Sequence, residues 1–141
     1  MTFVLDASIT LAWCFEDQST SLSELALERL REERALVPEL WPFEVANVLA
    51  GAERWGRLTW AQSARFVRLL RQLPITVEQL GQDTVMGTGL ALSRRHGLTA
   101  YDAAYLVLAA GAGVPLATAD LALRRAAGAA GVALLAVTAE S

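Results

Sequence analysis

Short apolar runs alternate with helix-patterned stretches along the whole of this 141-residue chain, and that alternation limits the fold more than any other feature. Thr2 to Leu5, Ala35 to Pro38, Ile75 to Val77, Val114 to Thr118 and Val132 to Val137 read as strands. Between them, apolar residues recur at helical spacing over Ser8 to Phe15, over 20–34, and from Pro42 to Gly56. The same spacing returns from Thr59 to Leu73, from Gln82 to His96, after Thr99, and from Leu121 to Ala127. The helix after Thr99 (AYDAAYLVLAAGAG) is apolar on nearly every side, which predicts a central, buried position. Strand and helix joined by short connections predict an α/β fold. Its central, mostly parallel sheet has about four to five short strands flanked by helices, in one domain over residues 1–141.

The composition narrows the chemistry. A hydrophobic fraction of 54% against 19% charged residues belongs to a folded chain with a substantial core. The net charge of −3 argues against gripping nucleic acid by bulk charge, although local basic patches remain compatible with it. All 12 basic residues are arginine. Without lysine there is no P-loop, no Schiff base and no lysine of the kind a phospho-acceptor receiver domain needs. The single cysteine, Cys14, cannot pair within the chain, which points to a reducing compartment. With neither a secretory leader pattern nor a bilayer-length apolar run, the expectation is a cytoplasmic protein with no membrane partner.

Four acids interrupt otherwise apolar or small-residue stretches: Asp6 in FVLDAS, Glu44 in WPFEVANVL, Asp102 in LTAYDAAYLVLA and Asp120 in PLATAD. Each has an ordinary structural explanation. Asp6 and Asp120 end strands and open helices, where Asp is a favoured N-cap. Glu44 complements a helix dipole in its first turn, yet it shares a face with Trp41, Val45, Val48 and Ala52 and so points inward. Asp102 lies three residues after Thr99, as in a variant capping box. Their conjunction is harder to explain this way. In open parallel sheets, ligands bind beyond the carboxyl ends of the strands, beside helix N-termini. Four acids gathered there would repel one another, and a hard divalent cation removes that penalty. Oxygen donors without His or Cys favour Mg²⁺ or Mn²⁺ over zinc.

These residues resemble the PIN-domain ribonucleases, and among them the VapC-type toxins of bacterial toxin–antitoxin pairs. The resemblance is carried by VLDAS with Asp6 and Ser8, FEVANVL with Glu44 and Asn47, LTAYDAAYLVLA with Asp102, and LATAD with Thr118 and Asp120. The matches run in the expected order from residue 4 to residue 120, while 57–95 carries no motif. The resemblance implies a metal-dependent endoribonuclease. Asp6, Asp102 and Asp120 would hold Mg²⁺ (or Mn²⁺), and Glu44 would hold a second ion or orient the attacking water. Ser8, Asn47 and Thr118 would fix the carboxylates. It also implies a homodimer silenced by a small antitoxin, for which the surplus of aromatics could provide a groove.

RNA needs cationic contacts, and Arg94, Arg95, Arg124 and Arg125 flank the acidic segments. Arg65, Arg68 and Arg71 read as a solvated helix face. His96 beside Gly97 fits a helix C-terminus without a catalytic duty. The GTG at 87–89 falls inside a helix pattern, not after a strand, which argues against a dinucleotide cradle. Two other readings remain. One is a catalytically idle PIN-fold module that binds proteins, which has no reason to keep four repelling acids. The other is a phosphatase of the haloacid-dehalogenase type, which wants an Asp where Ser8 stands and a lysine that is absent.

Overall fold

A computed structural model describes residues 2–137. The chain opens with β1 (Thr2–Leu5), whose Phe3, Val4 and Leu5 are buried, and turns at Asp6 into α1 (Ala7–Ala12). After one 3₁₀ turn, Thr20 and Ser23 form a reciprocal capping box that starts α2 (Ser21–Arg29). Next come β2 (Arg34–Pro38), α3 (Trp41–Arg54), α4 (Trp60–Arg71) and β3 (Ile75–Glu78). The C-terminal part holds α5 (Gln82–Thr84), α6 (Leu90–His96), α7 (Ala100–Ala112), β4 (Leu116–Ala117) and α8 (Leu121–Ala129).

The four strands form one parallel sheet in the order β3-β2-β1-β4. The chain moves outward from β1 through β2 to β3, then returns to the other side of β1 for β4. Such a reversal opens a crevice between the carboxyl ends of β1 and β4. Helix α7 packs against the sheet with Ala103 to Ala109 continuously buried, the central position its composition predicts.

Several boundaries differ from the sequence reading. Val132–Val137 is not a strand: only Leu134 pairs, as an isolated parallel bridge with Leu116. Two backbone bonds hold it there, Leu116 N–H to Ala133 O (2.9 Å) and Leu135 N–H to Leu116 O (2.9 Å). β4 is shorter than Val114–Thr118, because Pro115 has no N–H to give to a ladder and only accepts, from Val4 N–H (2.8 Å). The helical stretch from Gln82 to His96 is interrupted by a π turn at Val85–Gly89, which contains the GTG segment. Gly97, at φ 65°, ends α6 in the left-handed region that favours glycine. On α3 the core stripe is Trp41, Val45, Leu49 and Ala52, whereas Val48 is exposed.

Candidate active site

Asp6 is 5% exposed, the most buried of the four acids, at the junction of β1 and α1. It occupies the N-cap position, but its side chain makes no cap bond. Ser8 Oγ (2.8 Å) and Thr118 Oγ1 (2.6 Å) both donate instead to the same oxygen, Oδ2. Each hydroxyl in turn accepts a backbone N–H, Ser8 from Ala119 (3.2 Å) and Thr118 from Asp120 (3.1 Å). The loop after β4 is thereby fastened to the loop after β1.

Glu44 is half-buried in the first turn of α3. Two contacts set its place. Tyr105, fully buried on α7, donates its hydroxyl to Oε1 at 2.5 Å. One turn earlier, Trp41 Nε1 donates to Thr10 Oγ1 (3.0 Å), and Thr10 bonds the carbonyl of Asp6 (3.3 Å), tying the start of α3 to α1. Tyr105 is the residue that periodicity misses, because it reads as core. The available signal is its position three residues after Asp102, which puts both on one face of α7.

Asp102 is partly exposed, and the hydroxyl of Thr99 accepts its backbone N–H (3.1 Å). Thr99 therefore does the capping and the carboxylate faces the crevice. Asp120 does act as a cap: its Oδ1 accepts from Leu123 N–H at 3.0 Å.

The electrostatics show that the acids share one space. Burial pushes the carboxyl of Asp6 above its ordinary value, against the hydroxyls of Thr118 and Ser8, and the charge of Asp120 adds to the rise. Burial likewise raises Glu44 against the Tyr105 hydrogen bond, with Asp6 and Asp102 adding repulsion. Asp102 is raised by burial and then by Asp120 and Asp6. Tyr105 is driven up by burial and by Glu44, so it stays protonated and keeps its proton for Glu44. The ion pairs among the described residues are Arg29–Glu33, Arg31–Glu28 and Arg57–Asp17, none of which neutralises these acids.

A hard divalent cation fits this donor chemistry, which consists of oxygens lacking a basic partner. The side chains are splayed, however: among the described residues no three His, Cys, Asp or Glu side chains stand together as a metal cage. Asn47 is exposed and borders a shallow hollow with Glu44, away from the hydroxyl pair on Asp6. Arg94, Arg95 and Arg125 are exposed, whereas Arg124 is committed to the carbonyl of Thr118 at 2.9 Å.

A parallel sheet with its reversal at β1 and four acids in the crevice beyond defines a class that comparison identifies. The PIN domain family model matches residues 3–129. Ribonuclease VapC3 of Pyrobaculum aerophilum is 31% identical over 120 residues, covering 85% of this chain and 90% of that protein. The crystal structure of a Pyrobaculum aerophilum protein superposes with a TM-score of 0.68 at 25% identity, over 89% of this chain and 84% of that one. VapBC2 from Rickettsia felis, bound to a promoter DNA fragment, shares the fold at TM-score 0.69 and 11% identity, with coverage of 96% and 98%. The chain belongs to the PIN domain family, in its VapC-type branch.

Proposed function

We propose that this protein is the toxin of a toxin–antitoxin pair and acts as a divalent-metal-dependent endoribonuclease. The observation that carries the reading is Asp6. It is a buried carboxylate with one oxygen held by two hydroxyls and no ion pair to it among the described residues, in a family whose relative is named a ribonuclease. Asp6, Asp102 and Asp120 would hold Mg²⁺ or Mn²⁺. When bound, the ion supplies positive charge that polarises a phosphoryl oxygen and acidifies water.

The chain's own residues do the rest. Ser8 and Thr118 keep Asp6 in one rotamer, which spares the site that ordering cost during reaction. Glu44, held by Tyr105, orients the attacking water and takes its proton; a raised pKa makes it a better acceptor than a surface glutamate. In-line attack at phosphorus breaks the bond to the 3′ oxygen and leaves a 5′-phosphate and a 3′-hydroxyl. Arg94, Arg95 and Arg125 hold flanking phosphates, while Arg124 braces the loop that carries Asp120.

An antitoxin is the natural partner in this reading, since VapBC2 is itself a complex of that kind. The apolar groove of about 360 Å³ lined by the start of α3 and the end of α4 supports a partner helix there. The chain is taken to work in the cytoplasm as a homodimer; no described helix is long and apolar enough to cross a membrane.

The test is cleavage of RNA by the purified protein. EDTA is expected to stop it, and Mg²⁺ or Mn²⁺ to restore it, with 5′-phosphates on the new ends. Cleavage that ignores EDTA would refute the metal requirement, and intact RNA would refute the nuclease.

A further inference from the structure

Phe43 and Tyr101 are 78% and 67% exposed, too open for residues that serve the core. They come from different helices, α3 and α7, and each immediately precedes a site acid, Glu44 and Asp102. With Glu44, Ala46 and Asn47 they line a single open hollow of about 550 Å³. Glu44 therefore belongs both to this hollow and to the crevice of acids. No basic side chain lines the hollow, so its one charge would repel a phosphate. Two aromatic faces and an amide suit a flat, neutral, hydrogen-bonding ring.

We propose that Phe43 and Tyr101 form a stacking platform for unpaired bases of the RNA substrate, beside the phosphodiester bond that the acids address. The inference rests on the nuclease reading and adds the residues that would hold an unpaired base. In a duplex each base face is already covered by its neighbours, so the platform has nothing to hold. In a loop or an open strand a splayed base stacks on an exposed aromatic, and its phosphate is drawn across the crevice. Asn47 brings an amide to the same hollow, which can meet a base edge. Sequence tolerance follows, because every base has a π face.

Two readouts separate the platform from the reading beneath it. The first is steady-state cleavage of a short single-stranded oligoribonucleotide and of the same sequence in a duplex. Phe43→Ala and Tyr101→Ala are each expected to raise KM about tenfold with kcat unchanged, the size of losing one base–aromatic stack. Phe43→Leu should be as damaging as alanine, because it keeps apolar area and loses the ring; Tyr101→Phe should be neutral. The second readout is binding. A 2-aminopurine oligoribonucleotide titrated onto the Asp102→Asn protein should be quenched by stacking, and adding Phe43→Ala should abolish the quench. Leucine behaving as wild type, or alanine variants that change assembly mass at constant KM, would assign this face to a protein contact and overturn the platform. Quenching by a protein whose wild type cuts no RNA would sink the nuclease alone. Cleavage with unchanged KM in both alanine variants would sink the platform alone.

Discussion

The junctions after β1 and β4 look alike in sequence, and the structure uses them differently. Both follow a parallel strand and place an aspartate at the N-cap of the next helix, directly after β1 and three residues past the end of β4. Asp120 caps its helix through Leu123 N–H, as its position predicts. Asp6 does not cap; its partners are the hydroxyls of Ser8 and Thr118. The contrast follows from place in the sheet. β1 lies between two neighbours, so the residue after it is enclosed, and an enclosed carboxylate must take every donor within reach. β4 is two residues long, and Asp120 remains partly open to solvent, where a local cap suffices. The same residue type at the same kind of helix start is thus a cap in one place and the hub of a site in the other.

The largest expected effect falls on both junctions alike. Asp6→Asn and Asp120→Asn should each lower kcat for RNA cleavage about 10³-fold. Near-normal turnover in either would show that its carboxylate serves structure only. Next comes the hydroxyl that joins the junctions. Thr118→Val removes the donor to Asp6 and the acceptor for Asp120 N–H, and should cost about ten- to a hundredfold in activity. It should also cost about 1–3 kcal/mol in stability by leaving buried groups unpaired, measurable by urea unfolding.

The shared charge gives a third test. Asp6, Glu44 and Asp102 have raised pKa values in the folded protein, so the fold holds their protons more tightly than the unfolded chain does. Their contribution to stability is complete below the ordinary values of 3.8 for Asp and 4.5 for Glu. It is lost as pH rises through the raised values. At neutral pH, Mg²⁺ or Mn²⁺ should offset that loss, by about 2.7 kcal/mol at a hundredfold excess over Kd. Below pH 3.8 the carboxyls of Asp6, Glu44 and Asp102 are protonated in the fold and the ion should add little. A Tm indifferent to the cation at neutral pH would separate the acids into unrelated groups. The smallest effect divides the two duties of Asp120. Asp120→Ser should keep the cap and lose activity, while Asp120→Ala should lose activity and about 1 kcal/mol as well. Equal Tm values for the pair would remove the capping role.

What could be read from sequence was local. The caps at Thr99 and Asp120 connect residues three apart, so motif spacing finds them. The order of elements was legible because period-2 and period-3.6 patterns survive in short segments, and the four acids stood out against apolar surroundings. Ser8 and Thr118 were legible as holders of the carboxylates only through the family resemblance, because spacing alone does not pair Thr118 with Asp6, 112 residues away. Tyr105 was hidden for a related reason: a buried aromatic on an apolar helix looks like packing until Glu44, 61 residues earlier, is placed opposite it. The last strand was overread because alternating small and branched residues resemble a strand even when a single bridge is all they form.

The bond between Thr118 and Asp6 closes almost the entire length of the chain into one loop. During synthesis the amino-terminal acids leave the ribosome first and wait, incomplete, for the segment that anchors them. Ribosome-held chains ending before Thr118 should therefore be harmless to nearby RNA, and full-length release should switch them on. Such a delay would give a co-expressed inhibitor time to meet its target before the target can do damage.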